Sequence, residues 1–286
     1  VAGALPELNG RVVQESADRA SRDALLRVHT VEHLARVAAA SRQSAEVGQP
    51  VLAGPETPLS PASWDAIVGS AGAAVEAVSQ VARGRLRNAF VATRPPGHHA
   101  SSAFAMGFCP VNHVAVAARH LQAAGLAERV AIVDWDVHHG NGTQDLFYED
   151  GSVYFLSLHQ YPFYPGTGPA EERGAGAGLG TTLNVPITAG TGSVEYLTAF
   201  EAALAQVESE FEPDFVLISA GYDTLSQDPL GGLLVEPDDF TALTRLVCTW
   251  ADRVCQGRVV ALLEGGYHPE QTAEAAVTTL LALAED

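Results

Sequence analysis

The sequence predicts a single-domain α/β fold: three layers, α/β/α, with a mostly parallel central sheet. Three observations point there. Segments with helical spacing alternate with short apolar runs along the whole chain. Those runs, such as 130–133 (VAIV) and 215–218 (FVLI), are continuously apolar, the mark of strands buried on both faces. No shift in composition marks a linker anywhere in the 286 residues, a length that suits one large domain.

The elements follow in order. Residues 16–41 carry helical spacing. The stretch QPVLAGPETPLSPA (49–62) holds four prolines and reads as loop. Ser63 is placed to cap a helix over 64–83. Residues 88–93 form a short apolar strand that runs into RPPGHH. An Ala-rich helix covers 111–124, a strand 129–135, a short helix 141–148 and a second strand 153–158. Residues 160–180 are dense in Gly and Pro and read as a long loop. A strand at 182–186, a helix at 193–210, a strand at 215–220, a helix at 237–255, a strand at 258–263 and a helix at 269–284 complete the chain.

Composition excludes some classes of function. Acids outnumber bases 34 to 16, for a net charge of −18. A nucleic-acid surface needs a basic patch, so no nucleic-acid partner is expected. A negative field does suit a cationic substrate. Three cysteines, Cys109, Cys248 and Cys255, form no CxxC pair, so no disulfide framework is expected and a reducing compartment, the cytoplasm, fits. No apolar run reaches the roughly 18 residues that span a bilayer, and no signal-peptide pattern opens the chain. No membrane partner is expected, and nothing in the pattern sets the oligomeric state.

Polar side chains gather where the strands end. His98 and His99 follow the first of these strands; Asp134, Asp136, His138 and His139 the second; Ser157 and His159 the third; Tyr222 and Asp223 another; and Glu264 and Tyr267 the last. In an open α/β sheet, ligands bind outside the carboxyl ends of the strands. Asp136 and His138 stand two apart, so their side chains can point the same way, and Asp223 is the best-placed third ligand. Three protein ligands with a position open to water make a catalytic zinc arrangement; two carboxylates and one imidazole also suit ferrous iron. His98 and His99 are the candidate acid and base, with Asp134 and Asn141 to orient them. Tyr267, on a glycine turn, can donate a hydrogen bond to a developing oxyanion.

The motifs RPPGHHA (94–100), MGFC (106–109), DWDVHHGNGTQ (134–144), SLHQYPFYPGTG (157–168), NVP (184–186), SAGYDT (219–224), DPLGG (228–232) and LEGGYH (263–268) together resemble the histone deacetylase superfamily. The likeness is closest to its class II and bacterial branch, which includes acetylpolyamine amidohydrolases, and runs from about residue 29 to 277. It implies an arginase/deacetylase-like fold and a zinc-dependent hydrolase that removes acetyl groups from lysine side chains or similar amines. Asp136, His138 and Asp223 match the family's zinc ligands, and His98 and His99 its tandem acid/base histidines. Asp134 matches the carboxylate behind the first histidine. Asn141 stands where class I has a second carboxylate and class II has Asn. Tyr267 matches the carbonyl-polarising tyrosine. Phe108 and Tyr164 match the walls of a substrate tunnel, and Leu230 its rim. Gly107 matches a backbone carbonyl that receives the substrate amide. Asp134 and Ser157, with the backbone carbonyls of Asp136, His138 and Leu158, match a structural potassium site.

The chain departs from the family pattern in three places. A first strand and a His-Pro-Glu-rich loop are expected ahead of the first helix and are not in the sequence. Tyr164 is often Phe elsewhere. Leu230 replaces the Glu that a polyamine-selective branch carries at the rim. Three readings stay open: an acyl-lysine deacetylase, a deacetylase of acetylpolyamines or other small acylated amines, and a catalytically weak binding module. The motif HTVEH (29–33) fits an inverted zinc-peptidase pattern, but nothing nearby completes such a site, and it reads as packed helix.

Overall fold

The computed structural model describes residues 12–285. Helix α1 spans Arg22–Leu26 and α2 Val31–Val47. Strands β1 (Val51–Leu52) and β2 (Pro58–Leu59) pair as a small antiparallel hairpin. Helix α3 (Ser63–Ala82) leads to β3 (Asn88–Val91), α4 (His113–Ala123) and β4 (Val130–Asp134). Next come α5 (Asn141–Phe147), β5 (Val153–Gln160), β6 (Thr182–Ile187), α6 (Ser193–Glu210) and β7 (Phe215–Ala220). The chain closes with α7 (Asp239–Cys255), β8 (Val259–Leu263) and α8 (Pro269–Leu283).

The central sheet has six strands in the order β3-β8-β7-β4-β5-β6, and every neighbouring pair is parallel. Successive residues of a strand point to opposite faces, and both sets are apolar. Ala131, Val133, Val216, Ile218, Val259 and Ala261 pack with α6, α7 and α8. Val130, Ile132, Phe215, Leu217, Val260 and Leu262 pack with α1 to α5. That alternation produces the three layers, since a strand buried on both faces needs a helical cover on each.

Strand order places the site. The chain runs outward from β4 through β5 to β6, then crosses back to β7 on the other side of β4 and on to β8. A right-handed crossover puts α5 on one face for the outward run and α6 and α7 on the other for the return. The connections leaving β4 and β7 diverge, and a crevice opens between their carboxyl ends, the topological switch point where open α/β sheets bind ligands.

Four expectations need correction. The helix over 16–41 is two helices: Ser21 Oγ caps α1 by accepting from Ala24 N–H at 3.2 Å, and Thr30 Oγ1 caps α2 by accepting from His33 N–H at 3.1 Å. Residues 13–20 hold no regular element, and α2 runs on to Val47. Ser63 lies inside α3; its hydroxyl accepts from Ser60 N–H at 2.8 Å, which ties the preceding turn and leaves the helix without a side-chain cap. The proline-rich 49–62 contains the β1/β2 hairpin. Strand β5 continues two residues past 158, because His159 and Gln160 are buried against β6. No helix among the described residues is long and apolar enough to cross a membrane.

Candidate active site

Asp134 is the last residue of β4, and Asp136 and His138 follow in the turn behind it. The turn is shaped by its own carboxylates: Asp134 Oδ1 accepts from Asp136 N–H at 3.1 Å, and Asp136 Oδ1 from His138 N–H at 2.9 Å. Asp223, behind β7, accepts from Val137 N–H at 2.8 Å and so joins the two strand ends. His138 Nδ1 lies 3.1 Å from Asp136 Oδ1 and 3.1 Å from Asp223 Oδ2. One donor atom from each of the three residues lies within 4.8 Å of the others.

The electrostatics call for a cation. Asp136 and Asp223 are fully buried. Burial, joined by the negative charge of Asp136, pushes the Asp223 carboxyl up to about 6. Burial alone would depress His138, but its hydrogen bonds to both carboxylates and their charge outweigh it and lift the imidazole to about 10. Two desolvated carboxylates facing one nitrogen are stable only with positive charge between them, whether a proton or a metal ion. The wall is built for close approach as well: a Cβ on Gly265 would collide with Asp223 Oδ2 and Asp136 Oδ2, and Gly265 N–H donates to Asp136 Oδ2 at 2.8 Å. The donor set and its cradle fit a small divalent cation.

The histidine pair stands beside this trio, both rings buried, with centroids 4.1 Å apart. Their partners differ. His98 Nδ1 lies 2.9 Å from Asp134 Oδ2, and its Nε2 lies 3.7 Å from Asp136 Oδ1. Burial alone would depress His98, but the charges of Asp136, Asp134 and Glu264 outweigh it and hold the ring well above its usual value. His99 Nδ1 lies 2.8 Å from the Asn141 side-chain oxygen, a neutral partner. Burial, then the charges of His98 and His138, keep His99 well below its usual value. The two adjacent imidazoles are thus driven in opposite directions, His98 towards the charged form and His99 towards the neutral one.

Aromatic side chains line the approach. Tyr164 stands edge-on to His99 and His138, with ring centroids 5.4 and 5.9 Å away. Phe108 is 39% exposed and its ring lies 5.8 Å from that of Tyr267. Burial, with the charges of Asp223 and Asp136, keeps the Tyr267 phenol far above its usual range, so it stays a hydrogen-bond donor. Gly107 precedes Phe108 at φ +54°, and a Cβ there would strike the His99 ring. Only glycine lets this backbone lie flat against the histidine. Leu230 is 41% exposed, on the loop after β7. Ser157 and Leu158 lie on β5, with Ser157 directly opposite Asp134 in the sheet.

Comparison with known proteins gives the family. The model of the histone deacetylase domain matches residues 3–283. The chain belongs to the histone deacetylase family. It is 38% identical over 260 residues to a probable deacetylase of Archaeoglobus fulgidus, covering 91% of this chain and 70% of that one. It is 43% identical over 218 residues to histone deacetylase 15 of Arabidopsis thaliana, covering 75% of this chain and 39% of that protein. The crystal structure of the HDA15 HD domain superposes with a TM-score of 0.92 at 37% identity, covering all of this chain and 82% of that one. The six-stranded sheet flanked by helices is the deacetylase fold, and the family's activity makes the chain a deacetylase, a hydrolase acting on amides.

Within that family fold, several residues to which sequence reasoning assigned no role bear on the site. Glu264 is buried, and its Oε2 accepts from Gly97 N–H at 2.6 Å and His98 N–H at 3.1 Å; it braces the PPGHH turn from β8. Burial pushes its carboxyl up to about 7. With His98 and Cys109 it forms a second tight group, but burial holds the Cys109 thiol well above its usual value and the sulfur keeps its proton. Phe163 stacks flat on His138 at 5.4 Å, a contact hidden behind its neighbour Tyr164 in the sequence. Glu56 accepts from the Tyr164 hydroxyl at 3.0 Å. His29 and His33 serve the scaffold: His29 Nε2 accepts from Asn112 N–H at 2.9 Å, and His33 Nε2 lies 2.8 Å from the Pro110 carbonyl.

Proposed function

We propose that the chain is a zinc-dependent deacetylase acting on acyl-lysine side chains. One observation carries this reading: two fully buried carboxylates, Asp136 and Asp223, face the same imidazole nitrogen of His138 at the mouth of the sheet crevice. These three residues would hold the ion, and zinc there would polarise the amide carbonyl and make a water easier to deprotonate. Ferrous iron suits the same donors.

The chain's own groups supply the rest. His99 is the general base: its Nδ1–H donates to the Asn141 side-chain oxygen, which leaves the Nε2 lone pair free to take a proton from water. His98, whose charged form is favoured by Asp134 and Asp136, would add positive charge beside the reacting centre. Tyr267 donates to the carbonyl oxygen as charge develops on it, and His99 returns its proton to the departing amine. Phe108 and Tyr164 flank the aliphatic chain of the substrate, the Gly107 carbonyl receives its amide N–H, and Leu230 forms the rim. Asp134 and Ser157, adjacent and fully buried, with the carbonyls of Asp136, His138 and Leu158, would hold a structural potassium ion under the turn.

A second substrate class has one observation in its favour. The Glu56 carboxylate sits against Tyr164, in a chain of net charge −18, and attracts cations. Acetylpolyamines carry such charge. Comparing kcat/KM on acetyl-lysine peptides and on acetylspermidine, with zinc-reconstituted protein, separates the two. A peptide preference is expected, because Leu230 offers no charge at the rim. Dominant turnover of acetylspermidine would overturn the lysine reading, and no turnover of either with stoichiometric zinc would favour a binding module.

A further inference from the structure

We propose that Asp228 is a positioning residue that sets the Tyr267 hydroxyl against the reacting carbonyl, an inference that rests on Tyr267 being the oxyanion donor. Asp228 lies on the loop after β7, five residues past Asp223, and is 5% exposed. Its Oδ2 accepts from Tyr267 N–H at 2.5 Å and from His268 N–H at 3.2 Å. Its Oδ1 accepts from Leu230 N–H at 2.9 Å. One buried carboxylate therefore holds two consecutive amides of the tyrosine turn and one amide of the rim.

The loop that carries Asp228 is itself pinned. Asp228 N–H donates to Leu225 O at 3.0 Å, Ser226 N–H to Val235 O at 3.0 Å, and Gln227 N–H to Gln271 Oε1 of α8 at 3.2 Å. The far side of the tyrosine turn is held too, where Arg94 donates to Gly266 O at 2.8 Å. His268 is the N-cap of α8, so the Asp228 carboxylate sits just ahead of the positive end of that helix, where negative charge is favoured. Charge-assisted bonds to successive amides fix the backbone from which the Tyr267 side chain departs. An oxyanion donor works only within a few tenths of an ångström, and a 1 Å misplacement costs on the order of a hundredfold in rate. Asp228 can thus govern turnover without touching substrate.

A double-mutant cycle on the zinc-reconstituted enzyme tests this. D228A is expected to lower kcat by ~30-fold or more in the parent enzyme and by less than about twofold in a Y267F background, since a donor already removed cannot be misplaced. D228N, which keeps one acceptor oxygen, is expected to lose less and to show the same absorption by Y267F; it decides the matter where D228A does not fold. A merely structural carboxylate would cost the same factor in both backgrounds, and that result would overturn the proposal, as would a parental kcat for both Asp228 variants. Full activity of Y267F alone would instead remove Tyr267 from the oxyanion role, a separate failure visible in the first variant.

Discussion

Nδ1 of His99 lies 2.8 Å from the side-chain oxygen of Asn141, so this histidine, the proposed base, leans on a neutral amide while its neighbour leans on a carboxylate. The amide fixes which nitrogen carries the proton without adding negative charge. Replacing it with an anion, N141D, favours the protonated ring and raises the His99 pKa. A base is lost when it is protonated, so the acid limb of kcat/KM should move to higher pH. A pH–rate profile superposable on that of the parent would remove Asn141 from this role.

Metal binding should depend on Asp223 as much as on His138, because both close the same small space. Dialysed protein reconstituted with zinc should hold about one equivalent. Zinc in thousandfold excess over its dissociation constant adds ~4 kcal/mol to stability, a clear rise in Tm. In D223N both the stoichiometry and the rise in Tm should vanish. Zinc retained at one equivalent in D223N would place the ion elsewhere.

Tyr267→Phe removes one hydrogen-bond donor and leaves the packing against Phe108 in place. The cost should be on the order of 10²-fold or more in kcat, with Tm and zinc content unchanged. Steady-state kinetics on an acetyl-lysine peptide checks it.

The rim should set charge preference. Leu230 is exposed at the end of a well-anchored loop, so L230E introduces a carboxylate without disturbing the core. An exposed ion pair is worth up to ~1 kcal/mol, or about fivefold in kcat/KM for acetylspermidine relative to peptide. An unchanged ratio would mean that substrates do not reach this residue with their cationic end.

His113 should make the fold acid-sensitive. It is 3% exposed on α4, and burial lowers it to about 4 from an unfolded value of 6.5. The unfolded chain therefore binds the proton first, and stability is lost as pH falls from about 6.5 towards 4, by ~3 kcal/mol for this one ring. H113L should flatten the fall in Tm over that window. An equally steep fall in H113L would assign the loss to other groups, such as His29, which burial also lowers, to about 3.

The strands and the residues that follow them were legible because burial on both faces writes a continuous apolar run, and the first polar residue after it marks the rim. Asp136, His138 and Asp223 could be grouped on that basis alone. The break between α1 and α2 was harder, since helical spacing persists through it and only Ser21 and Thr30 announce new caps. Ser63 misled because a serine before an apolar run signals a cap, whereas here its hydroxyl serves the turn ahead. Glu264 was legible at the rim but its bracing role was not, and Asp228 carried no role at all. Their partners are backbone amides 167 and 39 positions away, and an amide leaves no trace in the residue type that bears it.

The return crossing from β6 to β7 has a bearing on how the molecule is made. His138 emerges early in synthesis, but Asp223, 85 positions later, reaches it only after α5, β5, β6, α6 and β7 have been laid down. Until β7 docks beside β4, a nascent chain presents only two of the three residues proposed to hold the ion, and the trio is assembled before β8 inserts between β7 and β3 to complete the sheet.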